Sequence, residues 1–254
     1  MLIPQTIPTF SAGLDLVEED IHVWCASLRQ PADIVERLFT MLSGDEKARA
    51  GRYQFEYLQQ SFIVARGILR CLLARYMGLQ PDQLAFVYLR EGKPQLSEKF
   101  DRQVFFNLSH SKELVLYAFS RSRKVGIDIE YIRAVDDLMM IAGHHFSTRE
   151  MIDLKSLPPH KRLQGFFNCW TRKEAYIKAI GTGLSFPLQE FDVSLQPGKP
   201  ARLLRVRGSV RAAERWSMTE LKPMDGYAAA LVSEGIPGSI LYREWNGPDL
   251  FMDC

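Results

Sequence analysis

One stretch, from about residue 163 to 188, constrains the fold most because its helical pattern is broken at a single position. Large apolar side chains recur there at three- and four-residue spacing, which predicts an amphipathic helix with one apolar stripe. The stripe consists of Leu163, Phe166, Phe167, Trp170 and Ile177. At ~100° per residue, Glu174 falls in the middle of this stripe, with Lys173 and Lys178 on its two borders. A carboxylate facing a core is costly unless it is neutralised, ion-paired or metal-bound, so we expect Glu174 to belong to a functional site.

A second stretch, Val125–Glu130, reads as a strand with two distinct faces. Asp128 and Glu130 share one face, with Cα atoms roughly 6.7 Å apart, while the aliphatic residues share the other. Alone, this pattern also fits an edge strand with an acidic solvent face. Together with Glu174 it gives three carboxylates without His or Cys, which favours Mg²⁺ or Mn²⁺ and, with it, phosphoryl chemistry.

Polar donors and cations that could meet a phosphate occur elsewhere in the chain. Ser109 and His110 follow a predicted strand, although a lone His is more often structural. The candidate cations are Lys47, Arg52, Arg66, Arg70, Lys93 and Lys178. Surface cations are common, and Lys178 could simply pair with Glu174 along the helix. The phosphate-binding P-loop and dinucleotide-binding glycine motifs do not occur in the sequence.

The composition excludes several classes of protein. Among 254 residues, 46% hydrophobic and 24% charged content is ordinary for a soluble globular protein, and a net charge of +2 gives no reason to expect nucleic-acid binding. Four widely spaced cysteines without a CxxC pair match neither a zinc site nor a disulfide framework. The first residues lack the features of a signal peptide, and no apolar run approaches ~18 residues. We therefore expect a cytoplasmic protein that neither spans nor binds a membrane.

The order of predicted elements indicates an α+β fold made of two similar subdomains. Each half reads as a strand, then helices, then several strands, although residue identity shows no repeat. The first half has predicted strands at 21–25 and 84–89, helices near 47–53 and 58–76, and a hairpin of 104–108 with 114–119 turning at 109–112. The second has a strand at 125–131, helices at 136–142 and 147–154 before the helix of Glu174, and strands near 191–195, 201–206, 216–221 and 227–232. A polar break at 121–124 predicts subdomains 1–122 and 123–254, packed as a pseudo-dimer with the site at their junction.

Four motifs, taken together, resemble the 4′-phosphopantetheinyl transferase superfamily, and specifically its larger, two-subdomain surfactin-synthetase-activator (Sfp) type. The matching segments are Glu91–Pro94, Phe106–Ser111, Gly126–Glu130 and Trp170–Lys178, followed by Gly181–Leu188. They occur in the family's order at plausible spacing. The resemblance covers residues 42–188 and extends more loosely to 232.

This resemblance implies transfer of the phosphopantetheine arm from coenzyme A to a serine of an apo acyl or peptidyl carrier protein, releasing adenosine 3′,5′-bisphosphate. It implies a Mg²⁺ site, with Mn²⁺ as a substitute, at Asp128, Glu130 and Glu174. Lys178 matches a lysine near the pyrophosphate and the attacking hydroxyl, and Glu174 is the candidate base. The coenzyme A contacts would be Lys47, Arg52, Arg66, Gly92, Lys93, Pro94, Ser109, His110 and Lys178. We expect a monomer. The alternatives are another Mg²⁺-dependent phosphotransferase or phosphodiesterase, and a non-catalytic protein that binds coenzyme A or a carrier.

Overall fold

Two long helices of equal length organise the two halves of the fold. Glu56–Met77 and Pro159–Ile180 each contain 22 residues, and each ends at a glycine in the left-handed conformation. These glycines, Gly78 (φ 65°) and Gly181 (φ 77°), adopt a conformation that costs other residues energy, which is why both helices end there. The computed structural model describes residues 14–88, 94–100 and 104–247.

The described elements follow the predicted order in both halves. The first half contains β1 (Ile21–Ser27), α1 (Ala32–Thr40), α2 (Gly44–Ala50), α3 (Glu56–Met77), β2 (Phe86–Tyr88), β3 (Pro94–Leu96), β4 (Phe105–Ser111) and β5 (Leu114–Ser120). The second contains β6 (Val125–Tyr131), α4 (Leu138–His145), α5 (Thr148–Ser156), α6 (Pro159–Ile180), β7 (Phe191–Val193), β8 (Leu203–Val206), α7 (Val210–Ala213), β9 (Trp216–Leu221), β10 (Tyr227–Glu234) and β11 (Ile240–Glu244). No helix in these described parts is long and apolar enough to cross a membrane.

The two main sheets have the same connectivity. The first has the order β11-β1-β5-β4 and the second β6-β10-β9, so in each half the opening strand pairs with the last strand of a terminal hairpin. The prediction of two similar α+β subdomains is therefore confirmed. Strand β11 lies parallel to β1 and returns the end of the chain to the first sheet. The division at 122/123 stays a prediction.

The same buried ion pair occurs in both halves. In the first, Glu46 of α2 receives a hydrogen bond from Arg70 of α3 at 2.6 Å. In the second, Glu150 of α5 pairs with Lys173 of α6 at 2.8 Å. Both glutamates also accept the N-cap backbone N–H of their own helices, and both cations donate to two backbone carbonyls. Those carbonyls belong to Pro81 and Leu84 in the first half and to Leu188 and Phe191 in the second. The repeat is thus preserved in buried polar contacts although residue identity does not reveal it.

The two halves pack against each other through their main sheets, and each half also has a hydrophobic cluster of its own. One hydrophobic cluster lies between α3 and the first sheet, and another between α6 and the second. A third cluster contains Ile21 and Leu116 of the first sheet together with Ile127 and Leu231 of the second. This third cluster places β6 beside β4 and brings the polar faces of those strands to the junction.

The structure corrects three details of the sequence prediction. The residues 109–111 lie within β4 and not in the turn, because the hairpin closes in two residues with Lys112 at φ 53°. Lys173 is completely buried and does not lie at the border of an apolar stripe, because Glu150 neutralises it. Helix α6 includes Pro159 as its first residue, a position where the missing N–H costs nothing. Helix α1 was not predicted.

Candidate active site

Helix α6 contacts strand β6 backbone to backbone, and a glycine makes that contact possible. A Cβ atom added at Gly126 would lie 2.1 Å from the carbonyl oxygen of Ala175 and 2.3 Å from the nitrogen of Ala179. Only glycine fits at such a distance. Glu174 and Lys178 each precede one of these contact residues, so the close packing brings both toward the polar face of the strand.

Asp128 is the most enclosed group of the site. Its carboxylate is almost completely buried, and Oδ1 accepts hydrogen bonds from Lys178 Nζ at 2.6 Å and from Ser109 Oγ at 2.8 Å. Lys178 Nζ also lies 3.0 Å from Ser109 Oγ, which closes a triangle between the two halves. The second oxygen, Oδ2, is buried and has no hydrogen-bond partner among the described residues. Such an oxygen is unusual in a folded protein and is suited to a cation.

Glu130 lies further along the same face and is half-buried. Its Oε2 accepts a hydrogen bond from Ser111 Oγ at 2.9 Å. The same hydroxyl accepts the backbone N–H of Tyr131 at 3.0 Å. A residue of the first half therefore fixes a carboxylate of the second.

Burial raises the pKa of each of the three carboxylates, and neighbouring carboxylates add to this for Glu130 and Glu174. Burial raises the pKa of Glu174 to about 7, and the charges of Asp128 and Glu130 add to this while Lys178 opposes it. Burial also raises the pKa of Asp128, against the effect of Lys178, and it raises the pKa of Glu130 together with the charge of Asp128. Repulsion among like charges in a partly desolvated space is relieved by a bound cation.

A cation would nevertheless require side-chain movement. In the described parts of the chain, no three His, Cys, Asp or Glu side chains converge as a ready set of ligands. Lys178 Nζ occupies Oδ1 of Asp128, and the three carboxylates do not converge as they stand. The donor set, which is oxygen only, and the unpartnered Oδ2 fit a hard divalent ion.

Residues of the first half meet the site at its rim. His110 follows Ser109 on β4 and is exposed, and partial desolvation together with the charge of Lys178 lowers its pKa. It therefore remains neutral at pH 7 and can donate or accept a hydrogen bond. Pro94 begins β3 opposite Tyr88. Gly92 and Lys93 lie outside the described residues.

The candidate cations of the first half differ in their surroundings. Arg66 is buried against the rings of Phe62, Phe86 and Tyr88, and its Nη1 has no hydrogen-bond partner in the parts of the chain that the structure describes. Lys47 donates to the carbonyl of Thr40 at 3.2 Å. Arg52 is exposed. Arg70 belongs to the buried ion pair with Glu46, which explains it as a structural residue.

Three contributors were missed at the level of sequence. The sequence assigns Gly126 only to a strand face, and it predicts no contact of Asn107 or Ser111 with β6 or its carboxylates. The alternation Asn107, Ser109, Ser111 was the available signal, since it puts three polar side chains on one face of a strand. The contact of Gly126 with α6 had no local signal.

Comparisons with known proteins agree with this geometry. A family described as the 4′-phosphopantetheinyl transferase superfamily matches residues 124–232, and one described as the N-terminal part of 4′-phosphopantetheinyl transferase matches residues 29–122. The chain is 40% identical over 224 residues to the 4′-phosphopantetheinyl transferase HetI of a Nostoc species, covering 88% of this chain and 91% of that protein. It is 30% identical over 160 residues to the 4′-phosphopantetheinyl transferase Sfp of Bacillus subtilis, covering 63% and 69%.

Proposed function

The chain belongs to the 4′-phosphopantetheinyl transferase superfamily, and from that premise we propose that it transfers the phosphopantetheine arm from coenzyme A to a serine of an apo carrier protein. The reaction depends on Mg²⁺ and releases adenosine 3′,5′-bisphosphate. The observation that carries this proposal is the meeting of Asp128, Glu130, Glu174 and Lys178 at the junction of the halves.

The metal would be held by Asp128, Glu130 and Glu174. The unpartnered Oδ2 of Asp128 and the raised pKa values of the three carboxylates support this assignment. The ion would offset negative charge on the pyrophosphate of coenzyme A as its phosphate bond breaks.

The protein's own groups supply the remaining chemistry. Glu174 is the candidate acceptor of the proton from the carrier serine. The serine oxygen forms a bond to the phosphorus of the arm, while the bond to the bisphosphate breaks. Lys178 Nζ, already between Ser109 and Asp128, offsets charge on the phosphates and helps to align the attack.

The phosphates and nucleotide of coenzyme A would lie against the first half. Ser109 and neutral His110 offer hydrogen-bonding groups at the rim of the site, and Arg66 has an unpartnered Nη1 within the described structure. The resemblance adds Gly92, Lys93 and Pro94 at the nucleotide. Lys47, on the phosphate side, and Arg52 complete the proposed coenzyme A contacts.

The monomeric state and the cytoplasmic location stay predictions.

One experiment separates the proposal from its alternatives. Purified protein is incubated with coenzyme A, Mg²⁺ and several apo carrier proteins, and each carrier is weighed by mass spectrometry. We expect the gain of one phosphopantetheine group, lost in Asp128→Asn and reduced at least ~10²-fold in Glu174→Gln. The control Glu190→Gln alters an exposed ion pair with Arg207 and should transfer normally.

Different failures have different meanings. Cleavage of coenzyme A without any gain on a carrier would favour a phosphodiesterase. Binding of coenzyme A without cleavage would favour a non-catalytic protein. Near-normal transfer by both Asp128→Asn and Glu174→Gln would refute the assigned site while leaving the activity in place.

A further inference from the structure

Side chains, and not a backbone ladder, hold the seam between β4 and β6. Both are end strands of their sheets, and no backbone pairing joins them in the described structure, although they lie against each other. Asn107, Ser109 and Ser111 alternate along β4 and share one face. Asn107 Oδ1 accepts the backbone N–H of Ile127 at 2.8 Å.

The two serines continue this contact toward the site. Ser109 Oγ donates to Asp128 Oδ1 at 2.8 Å, and Ser111 Oγ donates to Glu130 Oε2 at 2.9 Å. The partner numbers rise together on both strands, so β4 and β6 run parallel. We call the three side chains Asn107, Ser109 and Ser111 the polar seam.

Ser111 is the member whose hydrogen bonds are most fully defined. A serine hydroxyl has one hydrogen to donate, and Ser111 gives it to Glu130 while it accepts the N–H of Tyr131 at 3.0 Å. Ser111 is itself buried. With both partners in place the Ser111 hydroxyl cannot rotate, and its hydrogen bond fixes Oε2 of the Glu130 carboxylate.

We propose that Ser111 is a positioning residue that holds the Glu130 carboxylate in the site through the polar seam. This inference rests on the proposed function, because Glu130 is one of the three carboxylates assigned to Mg²⁺. Its action goes through Glu130, to which its hydroxyl donates.

Ser111→Ala should change the Mg²⁺ requirement of the protein but not its KM for coenzyme A. Loss of an outer partner of a ligating carboxylate typically weakens metal binding ~10–100-fold, so the Mg²⁺ concentration for half-maximal transfer should rise by that factor. The KM for coenzyme A at saturating Mg²⁺ should stay unchanged, since the phosphate contacts are not altered. Ser111→Thr keeps the hydroxyl and should return the Mg²⁺ concentration for half-maximal transfer to the wild-type value.

A second readout needs no metal. The N–H of Tyr131 loses its acceptor in Ser111→Ala, so its amide hydrogen should exchange with solvent faster in protein without Mg²⁺ or coenzyme A. Ser120→Ala is the matched control, because Ser120 is completely buried in β5 and its Oγ has no partner in the described residues. Neither readout should change in this control.

The outcomes separate the inference from the proposed function. A normal Mg²⁺ requirement or normal exchange at Tyr131 in Ser111→Ala would overturn the inference. A wild-type protein that transfers without Mg²⁺ would refute the metal site. Amide exchange at Tyr131 would still test whether Ser111 makes the hydrogen bonds of the polar seam. Should Ser111→Ala fail to fold, the nearly isosteric Ser111→Cys, a weaker hydrogen-bond partner, carries the same prediction.

Discussion

Adding one methyl group at Gly126 should displace the helix that carries Glu174 and Lys178. The new Cβ would lie 2.1 Å from the carbonyl oxygen of Ala175, whereas ordinary contacts begin at 3.4 Å, so a gap of about 1.3 Å must open. The atoms that clash are backbone atoms in the last two turns of α6, which lie against the second residue of β6. They cannot rotate away as the end of a side chain would, so the helix and strand have to separate.

The effect on activity should exceed the effect on stability. Overpacking of a core typically costs about 1–3 kcal/mol of unfolding free energy, a loss that a folded domain of this size can survive. A shift of about 1 Å in catalytic groups can cost ~10²-fold in rate. We therefore expect Gly126→Ala to fold and to lose about two orders of magnitude in the rate of carrier modification.

The assay combines the mass gain of the carrier over time with urea denaturation of the same protein. Gly143→Ala is the control, because Gly143 lies in α4 with nothing within 4 Å of an added Cβ. This control should keep full activity and gain about 0.5–1 kcal/mol from helix propensity. Wild-type activity together with a wild-type urea midpoint in Gly126→Ala would refute the contact between α6 and β6.

Two further predictions concern stability. Lys173→Met leaves the buried carboxylate of Glu150 without its cation and should lower the unfolding free energy by about 3–5 kcal/mol, and a loss below about 1 kcal/mol in urea titrations would contradict the structural role. Arg70→Met should cost less, because Arg66 Nε remains 3.5 Å from Oε1 of Glu46. Burial is the main cause that lowers the pKa of His22 to about 4 from 6.5, so the unfolded chain binds more protons between these values. His22 therefore contributes a loss of stability as the pH drops from 6.5 toward 4, opposite in sign to the contribution of Glu174, whose pKa is raised to about 7. Over this range the wild type should lose more stability, or gain less, than the His22→Gln variant; equal slopes would contradict the pKa shift.

The sequence was most informative where function and periodicity coincide locally. Strand β6 and helix α6 were both predicted, because alternation and helical spacing are properties of neighbouring residues. Asp128, Glu130 and Glu174 could be singled out for the same reason, since each contradicts or completes a local pattern.

The remainder depended on contacts between residues far apart in the chain. The place of Ser111 inside β4 follows from a two-residue turn at Lys112, which needs a positive φ that the sequence does not announce. The return of β11 to the first sheet depends on pairing with β1, more than 200 residues earlier. The burial of Lys173 depends on Glu150, which belongs to another helix.

The repeated architecture explains why only one half carries the carboxylates. β1 and β6 have seven residues each, and α3 and α6 have 22, so His22 corresponds to Gly126 and Tyr76 to Ala179. In the first half His22 and Tyr76 meet through a hydrogen bond of 2.8 Å between large side chains. In the second half the same pair is reduced to glycine and alanine, which lets helix and strand touch.

The next residue on that strand face completes the contrast. Trp24 corresponds to Asp128, and its indole N–H donates to the same Tyr76 hydroxyl at 2.8 Å, so the first half fills this space with aromatic rings. In the second half the space is filled by Asp128 and Lys178, with Ser109 reaching in from the first half. The site therefore requires both halves: one supplies a helix close enough to bring the charges together, and the other supplies the strand whose side chains hold them.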